Sequence, residues 1–453
     1  MNKEITKKII TRLPPSPTGL FHIGTARTAL FNYLFARQNN GKMLFRLEDT
    51  DKERSKKEYE ENIISGLEWL GLDYDGEISR QSEKTEIYKK YLEKMIESKF
   101  AYISEEEKEG QRGSVIRFKN PNKEIIFQDL IRGEIKFNTT ELGDFVIAKS
   151  LDEPLYHLTV VIDDFEGKVT HVIRGEDHIS NTPRQILIQE AIGVERPIYA
   201  HLPLILAPDK SKMSKRAGAT SLDEYKEIGY LPQAIINYLA LLGWNPGTEE
   251  EIFSLEELVE KFDIEKVHKG GAIFNIEKLN WINKEHIKLM SDEDFKNKVS
   301  EFLSEELKIK IKDNSYIFEK MLSIIKERIE KFSEIIEMEK EGEFDYYFSN
   351  PEFELGKIFW KEENDYSVLQ TRMEKCIEIL NSVENFTAEK IKESLWDYAT
   401  EEGRGSVLWP LRYTLSGKDK SPDPFVLADI LGKEETIKRL NYVIEKINSK
   451  TEK

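Results

Sequence analysis

The chain has 453 residues, with 67 Lys and Arg against 84 Asp and Glu, giving a formal net charge of -17. That length exceeds one ordinary hydrophobic core, so two or more domains are expected, and the acidic balance excludes indiscriminate nucleic-acid binding while leaving room for an RNA held on a local basic track. No stretch is apolar enough to span a membrane and Met1-Asn2-Lys3-Glu4 is not a signal peptide, which points to the cytoplasm; the single cysteine, Cys376, excludes an internal disulfide and a cysteine cluster for zinc and is expected to pack in a helix.

Ile9 to Leu13 reads as a buried strand, which Pro14, Pro15, Pro17 and Gly19 break into a loop. From Thr25 to Asn39, Leu30, Phe31, Leu34 and Phe35 recur at helical spacing. Met43 to Leu47 returns as a strand, and Tyr59 to Leu70 and Ile87 to Phe100 read as amphipathic helices. This is the rhythm of an α/β fold built on a parallel sheet. From Ala101 to about Asp164 the chain turns to short β-type runs, Val115 to Phe118, Ile125 to Phe127, Ile135 to Phe137 and Phe145 to Ala148, which read as a β-rich insertion. A strand at His171 to Arg174, a helix at Thr182 to Ile192 and a strand at Leu202 to Leu206 restore the α/β pattern. From about Leu222 almost everything reads as helix, including Phe318 to Ile336 and Glu434 to Ile447, as in helical bundles.

Two segments carry chemistry. The first is Pro15-Ser16-Pro17-Thr18-Gly19-Leu20-Phe21-His22-Ile23-Gly24-Thr25, a loop at the mouth of the sheet that runs into a helix. Such a loop offers backbone N–H groups and the positive end of a helix dipole to a phosphate. His22 adds a side-chain donor, and Gly24 lets a phosphate or an adenine approach the backbone. Alone, the His-x-Gly triplet would be a turn with a surface histidine. Its flanks, Pro15 to Gly19 before and Ala26-Arg27-Thr28-Ala29-Leu30-Phe31-Asn32 behind, reverse that judgement. The second segment, Lys212-Met213-Ser214-Lys215-Arg216, places mobile cations where they can neutralise charge building on a departing pyrophosphate. Together the two point to nucleotidyl transfer from ATP. A small-molecule nucleotidyltransferase could use the same pair of loops, but it needs little more than one domain, and the long helical half disfavours it.

At these residues the chain resembles class I aminoacyl-tRNA synthetases, and more closely the bacterial-type glutamyl-tRNA synthetases. His22-Ile23-Gly24-Thr25 is similar to the family's HIGH signature and Lys212 to Arg216 to its KMSKS loop. Further matching blocks are Arg46-Leu47-Glu48-Asp49-Thr50-Asp51, Val172-Ile173-Arg174-Gly175-Glu176-Asp177-His178 with Asn181-Thr182-Pro183-Arg184-Gln185, and Leu239-Ala240-Leu241-Leu242-Gly243-Trp244. The match is dense from residue 11 to about 290 and weaker through Leu411-Arg412 and Leu431-Gly432-Lys433-Glu434.

The resemblance implies a Rossmann-like catalytic domain split between residues 1–100 and 165–239, an acceptor-end-binding insertion at 101–164, a stem-contact region at 240–305 and an all-α anticodon-binding domain at 306–453. It implies activation of L-glutamate by ATP with Mg2+, transfer to tRNA(Glu), with tRNA(Gln) as a further acceptor left open, and a monomer. In that frame His22, Lys212 and Lys215 are catalytic, with Thr18, Gly24, Thr25 and Ser214 completing the ATP site. Arg12, Ser16, Glu48, Tyr156 and Arg174 bind glutamate. The chemistry agrees: a guanidinium grips a carboxylate through two parallel hydrogen bonds, which the amide of glutamine cannot reciprocate, so Arg12 is the expected selector and Glu48 the partner of the ammonium. From the residues alone, Glu48 and Asp49 read equally well as a surface ion-pair cluster with Arg46.

The chain also departs from the family. Where many relatives carry a Cys/His zinc site, Tyr102 to Ile116 contains neither residue, so no structural zinc and no resident metal are expected. The turn at Gly110-Gln111-Arg112-Gly113 is short, Val160 stands where some relatives place a polar residue, and His178 where others place Trp. A catalytically silent tRNA-binding paralogue is the competing class, and the presence of His22, Glu48, Arg174, Lys212 and Lys215 weighs against it. Trp360 and Phe359 read as core rather than as stacking platforms for bases.

Overall fold

The computed structural model describes residues 8–108, 111–211, 213, 221–352 and 354–451. The chain divides into two compact units, Met1–His286 and Ile287–Lys453.

The first unit opens with β1 (Ile10–Leu13), α1 (Ile23–Gln38), β2 (Lys42–Leu47), α2 (Lys57–Leu70), β3 (Ser79–Arg80) and α3 (Thr85–Glu97). The three strands are parallel in the order β1-β2-β3, as strands joined by helical crossovers must be. Helix α2 stops where Gly71 takes a left-handed φ of 70°, a conformation glycine adopts without strain. A Cβ at Gly66 would overlap the Phe21 ring, so α2 packs directly on the proline-rich loop and fixes its position.

The chain continues with β4 (Ala101–Lys108), β5 (Gln111–Phe118), β6 (Glu124–Asp129), β7 (Gly133–Asn138), β8 (Phe145–Ser150) and β9 (Glu153–Pro154). Strands β4, β5, β8 and β9 form an antiparallel sheet. The β6–β7 hairpin does something different. After α4 (Tyr156–Glu166), β10 (His171–Gly175), α5 (Thr182–Ile192) and β11 (Ile198–Leu202), the end of β6 pairs in parallel with β11 through Asp129 and Tyr199. The β-type runs of 101–164 therefore divide between two sheets, and Ile116, Phe118, Phe145 and Ile147 share a core with Leu158, Val161, Val172, Ile186 and Tyr199. Thr170 joins the two halves of the α/β pattern, its N–H donating to the Ile10 carbonyl at 2.9 Å and its hydroxyl accepting from the Ile10 N–H at 2.8 Å.

The strand expected at Leu202 to Leu206 is broken at Pro203, which lacks the N–H a ladder needs. Its first residue ends β11, and β12 (Ile205–Leu206) pairs instead with β13 (Ala272–Ile273). The helix expected at Ile87 to Phe100 starts two residues and ends three residues earlier, its last turn yielding to the Ser98–Phe100 bend into β4. Helices α6 (Leu222–Glu227), α7 (Pro232–Leu241), α8 (Leu255–Lys261) and α9 (Ile276–Leu289) follow.

In the second unit, the described residues form α10 (Asp292–Glu301), α11 (Glu305–Lys312), α12 (Ser315–Arg328), α13 (Glu334–Lys340), α14 (Asp345–Phe348), α15 (Tyr366–Ser382), α16 (Ala388–Glu402), α17 (Arg404–Ser416) and α18 (Pro424–Thr451). The single helix expected at Phe318 to Ile336 is two, because Ile329 is extended and turns both Ile329 and Phe332 into the core. Glu434 to Ile447 lies within α18, which breaks at Gly432 where φ is 77°. Cys376 is buried on α15 and burial pushes its thiol up to about 12, consistent with packing. Trp360 corrects the expectation of a core residue: it is 36% exposed and tilts against Trp409, 5.9 Å between ring centroids.

Candidate active site

The carboxyl ends of β1, β2 and β10 open into a cavity of about 1330 Å3. Ligands of open parallel sheets bind at that edge. Arg12, Ser16, Thr18, His22, Gly24, Thr25, Glu48, Tyr156 and Arg174, drawn from segments up to 162 residues apart in sequence, all line this one space. Lys212, Ser214 and Lys215 lie outside the described residues. Their neighbours are placed: Met213 lines the cavity and donates its N–H to the Ile205 carbonyl at 3.2 Å. On the other side Ser221 bridges to His22, and the Leu222 N–H donates to the Phe21 carbonyl at 2.8 Å.

His22 does more than donate. It is the N-cap of α1, and its Nδ1 accepts from the backbone N–H groups of Gly24 (3.1 Å) and Thr25 (3.4 Å). This corrects the expectation of a helix end with those amides free, because the ring already uses two of them. An Nδ1 that accepts leaves the proton of the neutral ring on Nε2, which sits 3.2 Å from the Thr25 hydroxyl. A Cβ at Gly24 would stand 3.0 Å from the His22 ring, so glycine here first makes room for the cap.

The inner wall is a buried charge network. Arg12 donates from Nε to Asp164 (3.3 Å) and from Nη1 to the Ile173 carbonyl (3.3 Å). Arg46 donates to Asp164 (2.7 Å) and to Glu48 Oε1 (3.2 Å). Asp163 accepts from Lys84 (3.0 Å), Gln81 (2.8 Å) and the Tyr88 hydroxyl (2.9 Å) and pairs with Arg46 Nε at 3.6 Å. The ion pair of Glu48 with Arg46 thus exists, but Glu48 is only 8% exposed, and Asp49 turns away to bind Ser82. Burial pushes the Glu48 carboxyl above its ordinary value, with Arg46 and Arg12 pulling the other way. For Asp164, burial also acts upward, but two adjacent guanidiniums overcome it and hold the carboxyl below the usual range.

On the opposite side, Arg174 donates from Nε to His201 Nε2 (3.1 Å) and from Nη2 to the Thr182 hydroxyl (2.7 Å). The Tyr156 hydroxyl lies 3.0 Å from His178 Nδ1, which the Asn181 amide also approaches at 3.3 Å. Burial, with Arg174 nearby, drops His178 to about 4, so the ring is neutral, and the Asn181 amide nitrogen aimed at Nδ1 makes that atom an acceptor, to which Tyr156 donates. The tyrosine oxygen then turns its lone pairs to the cavity.

Asp163 and Asp164, and His201 with Asp129 behind Arg174, are the buried partners of the site that sequence reasoning missed, while Arg46 was read only as part of a surface ion-pair cluster. One signal was available: Val160-Val161-Ile162-Asp163-Asp164 puts two carboxylates inside an apolar helical run, and buried acids need partners. His201 and Asp129 gave none.

The proline-rich loop, capped onto α1 by His22, and the guanidiniums of Arg12 and Arg174 thus meet in one cavity at the head of the parallel sheet. The family model for the catalytic domain of class I tRNA synthetases (E and Q) matches residues 8–114 and 105–281, and the anticodon binding domain model matches 294–444. Glutamate--tRNA ligases of Aquifex aeolicus (strain VF5) and Thermodesulfovibrio yellowstonii are each 40% identical, over 97% and 96% of this chain and 100% and 99% of theirs. The solved glutamate tRNA ligase from Elizabethkingia meningosepticum CCUG26117, in complex with its amino acid, is 34% identical and superposes with a TM-score of 0.84, covering 97% of this chain and 100% of that one. The chain belongs to the glutamate–tRNA ligase family of class I synthetases.

Proposed function

We infer that the chain joins L-glutamate to ATP as glutamyl-adenylate, with release of pyrophosphate, and passes the glutamyl group to the 3'-terminal adenosine of tRNA(Glu). The observation that carries the choice of amino acid is the charge of the inner wall. On this wall four cations (Arg12, Arg46, Arg174 and Lys84) stand against three carboxylates (Glu48, Asp163 and Asp164), leaving one positive charge. Glutamate brings one net negative charge. Glutamine brings none and would leave a buried cation uncompensated, which is costly.

Arg12 and Arg174 each use Nε and one Nη hydrogen for protein partners, so both keep their remaining Nη hydrogens for carboxylates. Glu48 keeps Oε2 for the ammonium, beside the acceptor oxygen of Tyr156, and Ser16 closes the pocket. The substrate carboxylate is itself the nucleophile, so no general base is required. Thr18, Gly24, Thr25 and the Nε2–H of His22 take the nucleotide, Lys212, Ser214 and Lys215 the triphosphate, and Mg2+ enters as the counter-ion of ATP. The 101–164 segment serves the acceptor end, 240–305 the stem and 306–453 the anticodon, with the chain acting as a monomer.

Glutamate-dependent exchange of pyrophosphate into ATP tests this reading, run with tRNA present and absent and with glutamine in parallel. Exchange that needs glutamate supports it. Exchange with glutamine alone, or none with either, overturns it.

A pH profile tests Glu48. Protonated, it cannot accept the ammonium, so kcat/KM for glutamate should fall as pH drops through the raised value of this carboxyl. The acid limb is expected above the roughly 4.3 of an ordinary glutamate. Glu48→Gln should lower kcat/KM and remove the limb. A wild-type limb at or below the ordinary value would contradict the assignment.

A further inference from the structure

We propose that His201, fixed by Asp129, is a positioning residue that presents Arg174 to the amino acid and thereby sets the affinity for glutamate. Neither His201 nor Asp129 lines the cavity, and both side chains are fully buried. The proposal rests on the reading that Arg174 binds glutamate.

The chain of contacts starts at the β6–β7 turn. Asp129 Oδ1 accepts from the backbone N–H groups of Ile131 (2.9 Å) and Arg132 (2.8 Å), which pins the carboxylate to the turn. Its Oδ2 accepts from the His201 N–H (3.1 Å) and from His201 Nδ1 (2.6 Å). A carboxylate so supplied with donors stays ionised, so Nδ1 of His201 carries the proton and Nε2 carries the lone pair. That lone pair receives Arg174 Nε–H at 3.1 Å.

The tautomer decides the geometry. With the proton on Nε2, two donors would face each other at 3.1 Å, and Arg174 would have to swing away. With it on Nδ1, the Nε edge is held by His201 and one Nη2 hydrogen by Thr182 Oγ1. Nη1 and the second Nη2 hydrogen then project together, a two-pronged end suited to a carboxylate. The surroundings hold the imidazole in place: Tyr199 lies parallel to it, with an interplanar angle of 13°, Phe127 packs on it, and Arg132 Nε donates to its backbone carbonyl at 3.2 Å. The rigid chain Asp129–His201–Arg174 therefore transmits the geometry of the β6–β7 turn to the substrate pocket.

The test is steady-state aminoacylation by the full chain, reading KM for glutamate, KM for ATP and kcat. His201→Leu, which removes the acceptor, is expected to raise KM for glutamate by roughly tenfold or more while leaving KM for ATP near wild type. His201→Gln, whose side-chain oxygen can receive the Arg174 Nε–H, should restore most of that loss. Asp129→Asn, which frees the tautomer, should raise KM for glutamate selectively, and it decides the matter should His201→Leu not fold. Arg174→Gln separates the two levels. If it leaves KM for glutamate unchanged, the glutamate-binding reading fails and the positioning role falls with it. If it raises KM while His201→Leu and Asp129→Asn match wild type, or if Leu and Gln at 201 are equally impaired in both KM values, the positioning role alone is overturned.

Discussion

Replacement of Lys215 by Ala is expected to slow glutamate-dependent ATP–pyrophosphate exchange, measured with tRNA present, by about 100- to 1000-fold, the usual cost of deleting one preorganised charge-stabilising group. The reason is the chemistry of the step. The attacking carboxylate and the α-phosphorus need no proton transfer, so the barrier is lowered by alignment and by neutralising charge on the leaving pyrophosphate. His22 is already engaged as a helix cap, so on the proposed reading the neutralisation rests on the basic segment between Met213 and Ser221. Both of those anchors sit at the active cavity, Met213 in its lining and Ser221 against His22. Binding of glutamate, made by a different wall, should change little. Equal exchange rates in the variant and the wild type would contradict this role.

The second large effect is expected at Asp164. Asp164→Asn keeps the shape of the side chain but leaves Arg12 and Arg46 buried without the carboxylate between them. Removing one member of a buried ion pair costs about 3–5 kcal/mol. Because the chain has two units, a single melting temperature is a poor measure, and hydrogen exchange of the β1, β2 and β10 amides reports the loss locally. The sign of the pH dependence follows from the depressed carboxyl of Asp164: its contribution is full at neutral pH and is lost as pH falls from the unfolded value of about 3.9 through the lower folded one. Wild type and variant should therefore converge only in acid. Unaltered protection at neutral pH would mean that the network adds nothing to the fold.

What the sequence disclosed depended on range. The Pro15 to Thr25 loop and the first strands were legible because local spacing and motif carry them, whereas the grouping of Arg12, Glu48, Tyr156 and Arg174 came only through the family resemblance. The pairing of Arg12 with Asp164 joins residues 152 apart, and that of His201 with Asp129 joins residues 72 apart, so neither leaves a local pattern. The β6–β7 hairpin, read as part of the insertion, also reaches β11 through one residue pair, Asp129 with Tyr199, a register between residues 70 apart that leaves no local pattern. In the helical half, Ile329 to Phe332 carries apolar residues at a spacing that continues a helix, and only tertiary packing turns the chain there.

The most direct test of the whole assignment is charging of two purified transcripts, a glutamate tRNA and a glutamine tRNA, with glutamate, ATP and Mg2+. Glutamyl product on the glutamate transcript is expected, and product on both would mark an enzyme relaxed toward the anticodon while leaving the glutamate chemistry intact. Absence of glutamyl product on either transcript would contradict the proposed function.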